Sequence, residues 1–338
     1  MRLIEKKILE DPQIKFLIDK HDYSSAAEYL FKSQLSNWLL MKNNYEMRDK
    51  VKTKSFWFDS FKMIVQFNSE RIKSTSAKVD DTTIKNRKCF LCLENLPDEQ
   101  KGILLPDDFI LLCNPYPVFP EHFTISSIQH QPQRIFNSIN SFLEISSLFP
   151  CYCLVYNGPA CGASAPDHLH FQAGTKNFIP IENDIQQLKN DFGRIVQDDE
   201  SVTTSFIDDG LRKIIFIESM DKLEIEKAFH LIYKNYQKLV GVNPEPMMNI
   251  LSFYHIDFGW YLIIFLRNKH RPECFYKNDP EKILISPAAI DIGGIVVTPR
   301  EEDYIKIDKS ILSQIFNEVS LDKKTFLLLE EEIKKDLS

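Results

Sequence analysis

The chain has 338 residues, of which 43% are hydrophobic and 26% charged, and its formal net charge is -7 at pH 7. This length suits two packed halves with a large apolar core, and the acidic balance gives no overall basic field for a nucleic acid or an anionic membrane. The seven cysteines are an odd number in a large chain, which favours reduced thiols over a disulfide framework.

The first part of the chain, residues 1–75, is predicted to be a helical N-terminal extension, because apolar residues recur at helical spacing in Ala26–Leu30 and Leu35–Leu40. It carries no recognisable chemistry. Charged residues near Met1 replace the apolar core of a secretory signal, and no apolar run is long enough to span a bilayer. We therefore expect a cytoplasmic protein with no membrane partner. The polar stretch Ser74–Lys88 separates this extension from the next part.

The second part, residues 76–178, is predicted to consist of strands with one long helix. Asp107 and Asp108 indicate a hairpin turn between two apolar runs. The helix is predicted over Pro132–Phe149 and leads into a buried strand. The strands are predicted at Ile103–Leu105, Phe109–Cys113, His122–Ile125 and Tyr152–Tyr156.

Two cysteines near the start of this part, Cys89 and Cys92, have the spacing with which a turn can wrap a tetrahedral metal ion. One such pair supplies half of a closed site, and His122 and His168 are the best candidates for the other half. The alternative is an unmetallated pair of buried thiols, with His122 hydrogen-bonded locally.

Asn114 and Tyr116 lie in a short segment with two prolines. An aromatic face can stack on a base, and an amide can hydrogen-bond to a ribose or a phosphate. Both residues are therefore candidates for substrate binding, and an ordinary proline-rich turn is the alternative.

The stretch Asp167–Gln172 is the most informative one in the chain, because His168, His170 and Gln172 alternate in it with apolar residues. In a strand, alternate side chains share a face, so the three polar groups are predicted to point to one side. A neutral imidazole can attack phosphorus, and a neighbouring carboxamide can donate hydrogen bonds to the phosphoryl oxygens. The pattern indicates nucleotidyl transfer, and a polar strand edge or a fortuitous metal pair is the alternative.

The loop before this stretch is predicted to hold a phosphate. Gly162 permits the backbone conformations that aim successive N–H groups at an anion, and Ser164 adds a hydroxyl donor. Asn157 begins the loop and is a third candidate for substrate binding. Lys176, just after the histidine stretch, is a candidate for contact with the leaving phosphate.

The third part, residues 179–338, repeats a similar order of elements without a second pair of alternating histidines. A helical tail over Ile311–Leu337 is predicted to have a solvated charged face. The other elements are predicted at Lys213–Glu218, Met248–Tyr254 and Trp260–Leu266 for strands and at Lys222–Val240 for a helix.

Three basic residues, Arg267, Lys269 and Arg271, follow the last of these strands in a short loop. Arginine forks match phosphate oxygens and a lysine adds a point charge, so the loop is a candidate for anion binding. A solvated basic loop is the alternative.

Several of these segments resemble one known family. Asn157–Gly158, Gly162–Ser164 and His168–Gln172 resemble the active-site segment of the transferase branch of the histidine-triad superfamily, which includes galactose-1-phosphate uridylyltransferases. The form Ser-x-x-x-His-Leu-His-Phe-Gln is most similar to the GDP-hexose (GDP-L-galactose and GDP-D-glucose) phosphorylases. Ile285–Gly294 and Thr298–Tyr304 resemble C-terminal segments of the same phosphorylases.

The resemblance covers roughly residues 85–305 and implies an α+β fold. Two histidine-triad-like (HIT-like) halves with antiparallel sheets flanked by helices are expected, in addition to the helical extension. Residues 76–178 would form the catalytic half, and residues 179–338 a second half without the catalytic histidine pair.

The resemblance also implies roles for individual residues. The second histidine of the pair forms a covalent nucleotidyl-histidine in that family, which assigns the nucleophile to His170 and the contact with the phosphoryl oxygens to Gln172. Some uridylyltransferases of the family bind zinc through four residues that correspond here to Cys89, Cys92, His122 and His168. A structural zinc ion that steadies the strand presenting the nucleophile is therefore the expected cofactor.

The expected function is that of a nucleotidyltransferase or phosphorylase acting on a nucleoside diphosphate sugar, GDP-hexose by the resemblance, with inorganic phosphate as the second substrate. A dinucleoside-polyphosphate phosphorylase or hydrolase is one alternative, and a non-catalytic nucleotide-binding protein on the same scaffold is another. No nucleic acid partner is expected, and the sequence does not define an oligomeric state.

Overall fold

A computed structural model describes residues 3–76, 80–241 and 244–337. The described residues form strands β1 (Lys52–Trp57), β2 (Lys62–Phe67), β3 (Gly102–Leu105), β4 (Phe109–Cys113), β5 (His122–Ser127), β6 (Tyr152–Asn157), β7 (His170–Thr175), β8 (Gly193–Asp198), β9 (Thr203–Asp208), β10 (Lys213–Ser219), β11 (Met248–His255), β12 (Gly259–Leu266) and β13 (Ile295–Thr298). They also form helices α1 (Pro12–Asp19), α2 (Tyr23–Asn37), α3 (Leu39–Arg48), α4 (Ile72–Thr75), α5 (Asp81–Asn86), α6 (Ile139–Leu148), α7 (Pro180–Phe192), α8 (Lys222–Val240), α9 (Ala289–Gly293), α10 (Glu301–Lys306), α11 (Lys309–Val319) and α12 (Lys323–Leu337).

Ten of the strands form one sheet in the order β3-β4-β5-β7-β6-β11-β12-β10-β9-β8, and all neighbours in it are antiparallel. Its two five-stranded halves have the same connectivity: three strands, a long helix, then two more strands. They meet where β6 pairs with β11, with Asn157 opposite Asn249. The structure thus confirms the predicted α+β class with two similar halves flanked by helices.

The two halves differ in one connection. In the first half, residues 158–169 join β6 to β7, whereas residues 256–258 suffice to join β11 to β12 in the second. The long connection carries the predicted phosphate loop and the first histidine of the pair. The second half has only a tight hairpin at this place, so it has no backbone with which to build an equivalent site.

The N-terminal helices begin where the sequence supplies caps. Asp11 accepts a hydrogen bond from the backbone N–H of Gln13 at the start of α1, and Asp22 accepts one from Ser25 at the start of α2. The apolar side of α2, with Leu30 and Phe31, packs into the core of the first half.

The prediction that residues 1–75 are helical is wrong for residues 52–67, which form the antiparallel hairpin β1–β2. In β2 the alternating residues Met63 and Val65 are fully buried, which is the period of a strand. The hairpin is completed by β13, which lies parallel to β2 and comes from the far end of the chain. The second sheet therefore depends on a pairing that residues 1–75 alone do not contain.

Two predicted helices have different bounds in the structure. The helix predicted from Pro132 begins at Ile139, because the residues before it run along the sheet and supply Gln133 to the backbone of β7. The predicted tail is divided into α11 and α12, because Leu321 between them donates a backbone hydrogen bond to Leu266 at the end of β12.

The charged face of the tail also differs from the prediction. Glu330 is buried rather than solvated and accepts a hydrogen bond of 2.8 Å from Arg194 Nε. Among the described helices, none has the length and apolar character required to cross a bilayer.

Candidate active site and metal centre

A cavity of about 480 Å³ lies beside β7, where the loop after β6, the N-terminal region and the C-terminal segments meet. Its size is typical of a small-molecule site. The predicted site residues that line it are Asn114, Tyr116, Asn157, Gly162, Ser164, His170, Gln172 and Arg271.

His170 lies on the cavity wall and is 4% exposed. Its Nδ1 lies 2.8 Å from the backbone carbonyl oxygen of His168, which can only accept, so Nδ1 carries the proton. Burial lowers the pKa of His170 to about 4, so the ring is neutral near pH 7. Nε2 then holds a free electron pair, and no hydrogen-bond partner for it occurs in the described part of the chain. This nitrogen has the state that a nucleophile requires.

The backbone of His170 is held by one buried side chain, that of Gln133. Gln133 Oε1 accepts the N–H of His170 at 2.8 Å, and Gln133 Nε2 donates to the His170 carbonyl at 2.9 Å. The same Nε2 donates to the carbonyl of Asn157 at 3.0 Å. Gln133 thus connects the strand that carries the imidazole to the start of the loop after β6.

The loop itself needs a glycine at residue 162. Gly162 has a φ of +97°, and a Cβ atom there would lie 2.7 Å from the Cβ of Ala288. Ser164, two residues later, is half-buried and lines the cavity. Asn157 at the loop start accepts hydrogen bonds from Asn249 Nδ2 at 2.8 Å and from the Ala289 N–H at 2.9 Å, so the second half of the chain fixes this residue.

The alternation in the sequence predicted that His168 shares a face with His170 and Gln172. The structure shows that it does not. It precedes β7 in a turn, and its Nε2 donates to the carbonyl of Ser127 at 2.8 Å. The unprotonated Nδ1 therefore faces Cys89 Sγ, at 3.3 Å, and Cys92 Sγ, at 3.6 Å. Because His168 lies in a turn and not in the strand, its imidazole contacts the thiols and does not line the cavity.

The fourth member of this cluster is His130. Its Nδ1 lies 3.2 Å from Cys92 Sγ, and the ligand atoms of Cys89, Cys92, His130 and His168 all lie within 4.8 Å of one another. On the far side of its ring, Nε2 lies 3.9 Å from an oxygen of Asp167. Two thiols and two imidazoles with their electron pairs converging can hold a metal ion tetrahedrally.

His122 was predicted as this fourth ligand, and the structure corrects the prediction. His122 is fully buried at the start of β5, where its Nε2 lies 2.8 Å from Gln172 Oε1. His130 lies beyond the other end of the same strand, on the side of Ser127 and His168. Because a strand extends about 3.3 Å per residue, the two histidines are at opposite ends of β5 and only one can reach the thiols.

Three of the predicted cationic contacts do not line the cavity. Arg267 is 2% exposed and donates to the carbonyl oxygens of Pro287 and Val319, so it joins C-terminal segments to β12. Lys269 pairs with Glu273 on the surface. Lys176 donates to the carbonyl of Tyr254 at 2.6 Å and to that of Pro150 at 3.2 Å, because the direction of β7 carries it past the cavity.

The cavity contains two arginines that the sequence analysis did not single out. Arg71 donates to the carbonyl of Tyr116 at 2.9 Å, and Arg87 pairs with Asp167. With Arg271, which donates to Ser286 Oγ at 3.0 Å, three guanidinium-bearing residues line this space. They come from distant segments, and no local pattern marks them as a group.

Trp38 and Leu40 bring the N-terminal helices to the same cavity. Trp38 is 4% exposed and Leu40 is 43% exposed, so the wall here is apolar and partly open. The N-terminal region therefore forms part of the candidate site, although its sequence showed no recognisable chemistry.

Parts of the chain are similar in sequence to known proteins. Residues 30–175 match the family model "Domain of unknown function (DUF4922)", and residues 213–338 match "GDPGP1-like, C-terminal domain". The chain is 28% identical to a galactose-1-phosphate uridylyltransferase of Bacillus subtilis (strain 168) over 125 residues, which are 31% of this chain and 24% of that enzyme. The chain thus spans about a quarter of the length of this curated relative.

Among solved structures, yeast Ap4A phosphorylase in complex with AMP is similar in fold, with a TM-score of 0.57 and 15% identity over 86% of this chain and 96% of that one. A second structure of the same yeast enzyme has a TM-score of 0.53 and 15% identity, over 83% of this chain and 93% of that one. At this identity the likeness concerns the fold.

The repeated antiparallel halves, with the neutral imidazole of His170 on a strand of the first half at the cavity wall, are the features of a HIT-like scaffold. The chain is similar to HIT-like nucleotidyltransferases and phosphorylases, in fold over most of its length and in sequence over parts of it.

Proposed function

We propose that this protein is a nucleotidyltransferase that cleaves a nucleoside diphosphate sugar through a covalent nucleotidyl-histidine at His170. The observation that carries the proposal is the hydrogen bond from His170 Nδ1–H to the His168 carbonyl, 2.8 Å long, which leaves Nε2 unprotonated at the cavity. The Nε2 electron pair attacks the α-phosphorus, and the bond to the bridging oxygen breaks, so that the sugar phosphate leaves.

In the second step inorganic phosphate attacks the same phosphorus, and the bond to Nε2 breaks. The products are then a sugar 1-phosphate and a nucleoside diphosphate, and the imidazole returns to its neutral state. Two similar displacements in one cavity allow the same donors to stabilise both transition states. Gln172 lines the cavity two residues from His170 and is the proposed donor to the phosphoryl oxygens.

The cations around the cavity support a substrate with more than one phosphate. Arg71, Arg87 and Arg271 line it in a protein whose net charge is -7. Guanidinium groups are suited to phosphate oxygens because their donors form a rigid fork. Tyr116 and Trp38 supply aromatic surface in the same cavity for a nucleobase.

The assignment to GDP-hexose rests on the resemblance of the segment around Ser164–Gln172 and of Ile285–Tyr304 to the GDP-hexose phosphorylases. A dinucleoside polyphosphate is the second candidate substrate, because it presents the same α-phosphorus and a phosphate leaving group. The fold shared with yeast Ap4A phosphorylase over 86% of the chain favours this candidate.

We also propose that Cys89, Cys92, His130 and His168 hold a zinc ion. Thiolate and imidazole ligands in a closed tetrahedral set are typical of structural zinc. The ion would supply no step of the reaction. It would hold the turn at His168, whose carbonyl accepts the Nδ1 proton of His170.

The reaction is tested by incubating the protein with phosphate and a panel of GDP-, ADP- and UDP-hexoses and Ap4A, with the products identified by ³¹P NMR. Phosphorolysis yields a nucleoside diphosphate and hydrolysis a nucleoside monophosphate. Without phosphate, a substrate labelled at the α-phosphate should leave an acid-labile, base-stable label on the protein.

His170→Asn should abolish both the label and turnover, and His255→Asn, a half-buried histidine at the end of β11, is the control. Turnover by His170→Asn at the wild-type rate would overturn the mechanism. Tight nucleotide binding with neither label nor turnover across the panel would instead favour the non-catalytic alternative.

A further inference from the structure

His122 and Gln172 lie on the paired strands β5 and β7, where His122 is opposite Gly174 and its ring reaches Gln172 diagonally. His122 is fully buried, with its ring edge to face with Phe119 at a centroid distance of 5.0 Å. Its Nδ1 lies 3.2 Å from the backbone nitrogen of Val118, and its Nε2 lies 2.8 Å from Gln172 Oε1. Both nitrogens of this ring are thus engaged.

The Val118 N–H decides which nitrogen of His122 carries the proton. A backbone N–H can only donate, so Nδ1 must accept and the single proton of the neutral ring lies on Nε2. Burial, with added repulsion from Arg71, lowers the pKa of His122 to about 3, so the ring is neutral at working pH. Nε2–H therefore donates to Gln172 Oε1.

This contact decides the orientation of the Gln172 amide. With Oε1 accepting from His122, the amide NH₂ group is left for the cavity, which Gln172 lines. Its two N–H bonds can donate to phosphoryl oxygens. In the opposite orientation Oε1 would present partial negative charge to those oxygens, and the amide would oppose the charge that develops on them.

We infer that His122 is a positioning residue that holds the Gln172 amide with its NH₂ group toward the phosphoryl oxygens of the substrate. The inference rests on the proposed nucleotidyl transfer for its consequence, but the orientation itself can be measured without substrate. It gives His122 a function different from metal binding.

The orientation is tested by NMR on the protein labelled with ¹⁵N in histidine and glutamine. His122 should show an unprotonated Nδ1 and a protonated Nε2 from pH 5 to 8, and the shifts of the Gln172 side-chain NH₂ should change on addition of GMP. A His122 with its proton on Nδ1, or one that titrates in this range, would overturn the inference whether or not the protein is an enzyme.

The kinetic test measures formation of the nucleotidyl-protein in a single turnover. His122→Phe should slow this step by about 10²-fold or more, as the loss of an oriented donor does elsewhere, with little change in substrate KM. His122→Gln can still donate to Gln172 and should recover part of the rate. Gln172→Ala combined with His122→Phe should be no slower than Gln172→Ala alone, because the alanine variant has no amide left for His122 to orient.

A merely structural role for His122 gives a different result. The effects of His122→Phe and Gln172→Ala would then multiply, and His122→Gln would give no recovery. His255→Phe serves as the control for loss of an imidazole, and thermal melting of each variant shows whether it folds. If His122→Phe does not fold, the His122→Gln rate and the NMR measurement decide.

Discussion

His168 and His170 are linked by a hydrogen bond of 2.8 Å from the ring Nδ1 of His170 to the backbone carbonyl of His168. The side chain of His168 meanwhile points to Cys89, with 3.3 Å between Nδ1 and Sγ. One residue therefore belongs to the metal-ligand cluster through its ring and to the candidate active site through its carbonyl. This connects the cluster to the protonation state of the proposed nucleophile.

The first prediction concerns the metal. The purified protein should contain about one zinc ion per chain by elemental analysis, and a chelator should lower its melting temperature. His130→Ala removes one of the four converging ligands and should lose most of the zinc. His122→Ala should keep it, because this residue contacts Gln172 and not the thiols. Zinc loss in His122→Ala with retention in His130→Ala would contradict the assignment.

The second prediction concerns Gln133, which is 1% exposed and bonds to both backbone groups of His170. Gln133→Leu leaves these groups without their partner, and a buried unsatisfied group costs about 1–3 kcal/mol. Urea unfolding should show a loss of at least about 2 kcal/mol, on that scale. Gln129→Leu, at an exposed position nearby, is the matched control and should have little effect.

The same variant should also slow nucleotidyl transfer, because small displacements of a nucleophile are costly. A shift of about 1 Å can reduce a rate by about 10²-fold. Single-turnover labelling at a temperature where Gln133→Leu is folded measures this effect. An unchanged rate would show that Gln133 does not position His170.

The third prediction compares two cations of one loop. Arg271 lines the cavity, whereas Lys269 pairs with Glu273 outside it. Charge-assisted hydrogen bonds contribute about 1.5–3 kcal/mol, so Arg271→Gln should raise the KM for the nucleotide substrate about 10- to 100-fold. Lys269→Gln removes the same charge and should leave KM within about twofold, since surface pairs contribute little. Equal effects of the two changes would indicate only a general influence of charge.

The fourth prediction concerns the pH dependence of stability at Glu245. This carboxyl is 2% exposed, contacts the Tyr156 hydroxyl and accepts the Ile135 N–H at 3.1 Å. Burial raises the pKa of Glu245 to about 7. Between its ordinary pKa and about pH 7 the folded protein binds more protons than the unfolded chain, so stability falls as pH rises through this window.

Glu245→Gln should remove this contribution, because a carboxamide does not ionise and can keep both contacts. The variant should gain up to about 3 kcal/mol relative to wild type between pH 5 and pH 8, on the scale of 1.36 kcal/mol per pKa unit. Urea unfolding at several pH values measures it, and Glu46→Gln, an exposed position, is the control. A wild-type and a variant curve that run parallel would refute the prediction.

Local patterns in the sequence were sufficient for much of the fold. The apolar run of β12 and the helical period of α8 each arise within one segment, so their bounds were predicted to within one residue. The functional role of the short stretch around His170 could also be inferred from the sequence, because alternate side chains of a strand share a face. The hairpin β1–β2 was missed because its third strand, β13, lies more than two hundred residues away in the chain.

The candidate site depended on contacts that no local pattern contains. The antiparallel register of β5 and β7 places His122 opposite Gly174 and beside Gln172, and it leaves His130 for the thiols. The choice between the two histidines is set by this register. In the same way, Arg71 and Arg87 reach the cavity through turns and packing.

The sequence by itself therefore determined the residue that is proposed to attack phosphorus and the scaffold that carries it. Only the tertiary structure decided which groups surround that residue, hold its proton and orient its neighbour. The physical reason is that the residues next to a nucleophile in the sequence can identify it. The groups that surround it in space come from distant segments, which strand pairing and burial bring together.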